Sequence, residues 1–138
     1  MKPSRIAPFI QQARAAGLRS QCPDDGVFLS EVDGVCLIIS ESVPDECDGG
    51  FALIALAFGE PPSPHIQPPR LAMRLQPHGW ELSIEADDLE PTPELLAFAE
   101  QFLLKEVGTI LFVSEDMLGN VFGLILDRVT NSSLAHAS

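Results

Sequence analysis

The spacing of apolar residues changes along the chain, and each spacing predicts an element. Ile6, Phe9, Ile10 and Ala13 recur at helical intervals and form one stripe. Ser4 stands where it would cap that helix, Pro8 falls in the first turn, and Gly17 is placed to stop it. Val27–Val32 and Val35–Ser40 are rich in β-branched and apolar residues and are separated by Asp33-Gly34, a strong hairpin signal. Val35, Cys36, Leu37, Ile38 and Ile39 show no alternation, the pattern of a strand covered on both faces. An acidic loop follows over Ser42–Gly50, then a third strand over Phe51–Phe58. Glu60–Pro69 carries five prolines and predicts an extended, polyproline-like crossing.

Arg70–Leu75 and Trp80–Ala86 alternate cleanly. A loop at Gln76-Pro77-His78-Gly79 would set Leu75 opposite Trp80, Arg74 opposite Glu81 and Arg70 opposite Glu85. Thr92 and Pro93 open a helix whose apolar residues, from Leu95 to Val107, predict a wide buried face ending at Gly108. Thr109–Ser114 and Val121–Asp127 read as two final strands joined by Glu115–Asn120, and Thr130–Ser138 as a frayed tail. The sum is an α+β domain: a mostly antiparallel sheet of about six or seven strands, with an N-terminal helix and one long amphipathic helix packed on it.

Composition narrows the picture without redrawing it. A chain of 138 residues, 46% hydrophobic and 20% charged, is one folded domain by the usual size rule. No apolar run reaches the ~18–20 residues of a membrane helix. The basic N-terminus lacks a signal-peptide core, and its regular spacing favours a folded helix over a transit peptide. Cys22, Cys36 and Cys47 are an odd set without paired spacing, which predicts free thiols and a cytoplasmic setting.

Charge changes the picture more. The net charge is −12, yet Lys2, Arg5, Arg14 and Arg19 occupy the first twenty residues without an acid. Asp24 to Glu60 then holds nine acids and no base. Such a field repels nucleic acid and anionic membranes and attracts basic partners, although net charge also serves plain solubility. The expected partner is another protein with a basic or apolar surface, and a homodimer is among the expected assemblies. The expected contact residues are Trp80, Asp45, Glu46, Asp48 and Phe51.

Candidate chemistry is thin. His65, His78 and His136 have no metal-ligand spacing, so neither a metal nor a cofactor is expected. No nucleophile-elbow, Walker or dinucleotide-binding glycine pattern occurs, and no catalytic residue is singled out. Glu85, Asp87, Asp88 and Glu90 lack the spacing of a calcium loop and read as a solvated turn. Pro61-Pro62-Ser63-Pro64 matches a PxxP ligand pattern but also a stiff loop.

The first sixty residues resemble class I type III secretion chaperones. The resemblance rests on the short amphipathic helix FIQQARAAGL followed by DDGVFLSEVDGVCLIIS and FALIALAFGE. It ends at Gly59, where the proline run replaces the family's second helix. The resemblance implies a small acidic bacterial protein that dimerises and holds a secreted effector's segment in extended form. The leading expectation is therefore a non-enzymatic, chaperone-like, protein-binding module. Two others stand beside it. One is an immunity or antitoxin-type inhibitor of a basic toxin or enzyme. The other is a small ligand-binding domain or enzyme with a pocket between helix 92–107 and the sheet.

Overall fold

The computed structural model describes residues 6–21, 27–32, 34–42, 51–58, 68–76, 78–86 and 89–137. Helix α1 (Ala7–Ala15) leads into strands β1 (Val27–Val32), β2 (Val35–Ser42), β3 (Phe51–Phe58), β4 (Arg70–Gln76) and β5 (Gly79–Glu85). Helix α2 (Pro93–Glu100), strand β6 (Ile110–Val113) and helix α3 (Glu115–Ala137) complete the order. The six strands form one antiparallel sheet in sequence order, β1 to β6. The α+β architecture is the one the apolar spacing predicts.

The two hairpins hold their expected registers. Val32 opposes Val35, with Gly34 at φ 79°, where glycine adds no Cβ strain. Leu75 opposes Trp80, Arg74 opposes Glu81 and Arg70 opposes Glu85.

Strand parity separates the two faces of the sheet. Phe28, Leu37, Ile39, Ile54, Leu56, Leu71, Met73, Leu82 and Ile84 share one face and are buried. The helices pack on this face. Phe9 of α1 meets Trp80 and Phe122 edge-on, with ring centroids 6.2 and 5.0 Å apart. Phe98 of α2 lies against Phe58, and Arg128 of α3 sits 5.1 Å over the same ring. Three helices thus converge on one core, and the opposite face carries the alternate residues.

Three expectations are corrected. The helix expected over Thr92–Val107 stops at Glu100. Thr92 Oγ1 accepts from the Leu95 N–H as the expected cap. The C-terminal end is a Schellman turn: the Leu103 N–H donates to Glu100 O and the Leu104 N–H to Ala99 O, with Leu103 left-handed at φ 63°. The turn drops Leu104 into the core at 1% exposure and leaves Leu103 outside at 80%.

The strand expected over Val121–Asp127 and its Glu115–Asn120 connection lie in α3. Ser114 Oγ caps it by accepting from the Met117 N–H, and Glu115 and Asp116 fill the first turn. Leu118, Val121, Phe122, Ile125 and Val129 are buried at helical spacing. That period outweighs the Gly119-Asn120 turn signal and the β-like composition.

Strand β2 alternates after all. Val35, Leu37 and Ile39 are buried, whereas Cys36, Ile38 and Ser40 are only half-buried. At α1 the capping residue is Ile6, with no side-chain cap; Ser4 lies outside the described residues. The acidic loop 43–50 and most of the proline run, 59–67, lie outside them too.

Candidate partner-binding edge

On the helix-free face, cross-strand pairing builds continuous rows. One runs Leu29, Ile38, Ala55, Ala72, Ser83 and Ile110 across all six strands. Leu53, Arg74, Glu81 and Phe112 follow on one side, and Cys36, Ala57, Arg70 and Glu85 on the other. The rows end at β6, where Ile110 is 53% and Phe112 65% exposed. Val107, on the segment leading into β6, is 45% exposed.

Strand β6 is also an edge. It pairs with β5 alone, over Trp80 to Ser83. Among the described residues no group hydrogen-bonds to its outer side. Residues 109–114 are uncharged, whereas Glu106, Glu115 and Asp116 flank them with Lys105 the single nearby base. Natural edges are usually protected by shortness, charge, proline or a bulge on the strand itself; β6 is short at four residues but carries neither charge nor proline. The ring of His78 stacks edge-on against Phe112 at 5.2 Å, and Glu81 Oε1 accepts from His78 Nε2 at 2.8 Å. This pair props Phe112 outward from below.

Two arginines share one carboxylate beside this edge. Arg70 Nε donates to Glu85 Oε1 at 3.1 Å, and its Nη2 lies 3.0 Å from the same oxygen. Arg74 grips Glu85 side-on, Nε to Oε2 and Nη2 to Oε1, the latter at 2.9 Å. Arg74 therefore bonds diagonally to Glu85, while its directly opposed Glu81 turns to His78. The Arg74 hydrogen bond is the main reason the Glu85 carboxyl is held below the usual carboxylate range, and it raises the Arg74 guanidinium in turn. Across the same face, burial pushes the Cys36 thiol up, with Glu31 adding to the effect and Arg70 opposing it.

β6 is shorter than β5, and its pairing begins at Ile110 opposite Ser83, which leaves Ile84 and Glu85 beyond it. A groove of about 380 Å³ lies there, lined by Arg74, Ser83 and Glu85 together with Pro68, Val107 and Ile110. It lies off the helix-free face, not between α2 and the sheet.

The expected contact residues scatter. Trp80, expected to offer an anchor, is 5% exposed, because its parity on β5 points it under Phe9 into the core. Phe51 begins β3 opposite Ser42. Asp45, Glu46 and Asp48 lie outside the described residues. Ile110 and Phe112 went unselected, although a signal was present. Ile110, Leu111, Phe112 and Val113 are apolar on both parities, so a strand with cover on one face must expose half of them.

Among the described residues no three His, Cys, Asp or Glu side chains gather as a metal site would require. No described helix is long and apolar enough to cross a membrane. Compared with protein-family models, curated proteins and solved structures, the chain matches none of them.

Proposed function

We propose that this protein is a non-enzymatic binding module that takes an extended segment of another protein as an added strand on β6. The observation that carries this reading is the uncharged outer edge of β6 with Ile110 and Phe112 exposed beside it. A strand edge supplies backbone donors and acceptors in register, and alternate side chains then decide specificity.

Size and charge select the occupant. The exposed part of Val107, Ile110 and Phe112 amounts to roughly 300 Å² of apolar surface, at the size where patches on monomers acquire a function. Two copies facing each other would pair only the four residues of β6 from each side. They would also bring Glu106, Glu115 and Asp116 against themselves within chains of net charge −12. A longer segment with alternating apolar residues and flanking Lys or Arg meets both demands. A chaperone-like role, holding such a segment extended, accords with this chemistry and with the resemblance of the first sixty residues.

The test is fluorescence anisotropy with a labelled peptide of alternating valines flanked by lysines. Saturable binding is expected, with slowed amide exchange at Ile110–Val113 and weakening in high salt. Methylating the alternate backbone nitrogens that would pair with β6 should abolish it. Equal binding of the methylated peptide, or protection confined to other strands, would sink strand addition.

A further inference from the structure

The groove past the end of β6 has a chemistry separate from that of the edge. We infer that it is a binding site for a small aliphatic monocarboxylate, with the head on Arg74 and the body along Val107 and Ile110.

Arg74 is the reason for the head group. Its side chain is 41% exposed, and its hydrogen bonds go to Glu85 alone, through Nε and Nη2. The Nη1 donors point away from that bidentate grip, because the guanidinium is planar. Glu85 also fixes the orientation of Arg74, so little side-chain entropy is left to lose on binding. Arg70, almost buried, holds Glu85 from the other side. The nearby carboxylate of Glu81 is engaged by His78. Arg70 and Arg74 balance Glu85 and Glu81, so this polar lining is locally neutral in a chain of net charge −12. A carboxylate meets less repulsion there than on the acidic remainder of the surface.

The rest of the groove selects the body. Ser83 adds a hydroxyl to the lining, and Pro68, Val107 and Ile110 add apolar surface. A volume of about 380 Å³ lies within the range of small-ligand sites, and the lining offers polar and apolar surface in equal measure, as an amphipathic ligand requires.

Octanoate is the probe, followed by NMR of the intact chain at the Arg74 Nε–H and the Ser83 and Ile110 amides. Saturable shifts at all three are expected. Octanol, which lacks the charge, and acetate, which lacks the body, should each bind about tenfold more weakly or worse. Arg74→Gln should cost about tenfold, beside the small fall in melting temperature expected from loss of its bond to Glu85. The site is overturned if octanol or octylammonium binds as well as octanoate, or if Arg74→Gln changes nothing. The absence of a saturable shift with octanoate overturns it equally. A peptide with a free apolar C-terminus that outcompetes octanoate, while its amide does not, would replace the small molecule by a chain end. Failure of the β6 peptide leaves each of these outcomes readable, because the edge and the groove are probed by different ligands.

Discussion

The two edges of the sheet are treated differently. At β1 the chain covers its own strand. The Gln21 N–H donates to Leu29 O at 2.6 Å, the Leu29 N–H to Ser20 Oγ at 3.2 Å, and Gln21 Nε2 to Glu31 O at 3.0 Å. At β6 no described residue does so, and the strand presents Ile110 and Phe112 instead. Each edge is reached through the same device. Helix α1 ends in a Schellman turn, with the Gly17 N–H on Arg14 O and the Leu18 N–H on Ala13 O. Helix α2 ends in the same turn with Leu103 where α1 has Gly17. One side is thus closed and relaxed. The other is open, apolar and entered through a strained residue, and that is the side where binding is proposed.

The sharpest way to break this contrast is to charge the open edge. Phe112→Lys, alone or with Ile110→Lys, should weaken the valine–lysine peptide by thirtyfold or so, about 2 kcal/mol, in anisotropy titrations. Thermal stability should hold, because both side chains already stand in solvent. A variant that binds undiminished would move the interface off β6.

Opening the closed edge is the converse. Gln21→Pro deletes the N–H that bonds Leu29 O and restricts Ser20 before it. A loss of about 1–2 kcal/mol is expected in urea unfolding, with new concentration-dependent light scattering from the exposed β1 edge. Stability loss without scattering would mean that the cover serves packing alone.

The contrast was only half legible in the amino-acid sequence. The hairpins were legible because Asp33-Gly34 separates two apolar, β-branched runs at Val27–Ser40 and because Arg70–Ala86 alternates cleanly, and the observed registers follow from them. The C-terminal third was not. The run Val121–Asp127 is β-branched and short, and Gly119-Asn120 mimics a turn, so local composition argued against the helical period that Leu118, Phe122, Ile125 and Val129 carry. Tertiary packing decided for the helix, with Ser114 as its cap. Helix α2 was read too long because Leu103 gives no sign of a left-handed stop. The candidate edge fell in this misread region. Trp80 was expected among the contact residues, but strand parity turns it inward.

A weaker prediction concerns the strands next to the open edge. The Arg74 hydrogen bond holds Glu85 below the ordinary carboxylate range, with both arginines adding to it. The folded carboxyl is thus the stronger acid. Its stabilisation is complete above the ordinary range, ~4.3 for a free Glu, and fades as pH falls through that value to the lower folded one. With Glu85 28% exposed, solvent screening keeps the effect to about 1 kcal/mol. Amide exchange should loosen β4 and β5 before β1 as pH falls. Glu85→Gln should remove that ordering and flatten the acid limb of the stability curve.

The smallest effect tests the strain. A left-handed leucine costs roughly 1–2 kcal/mol relative to a right-handed one, and glycine returns part of this by its greater freedom in the unfolded chain. Leu103→Gly should therefore stabilise by about 0.5–1 kcal/mol in urea, since the side chain it removes is 80% exposed and holds no core contact to lose. Gly17 supplies the control: its φ of 98° predicts that Gly17→Leu destabilises by a similar or larger amount. The informative measurement pairs stability with peptide affinity in Leu103→Gly. A more stable protein with unchanged affinity makes Leu103 incidental to the edge. A more stable protein that has lost affinity makes the strained leucine part of the surface the partner touches, extending the interface from β6 back to the turn that delivers it.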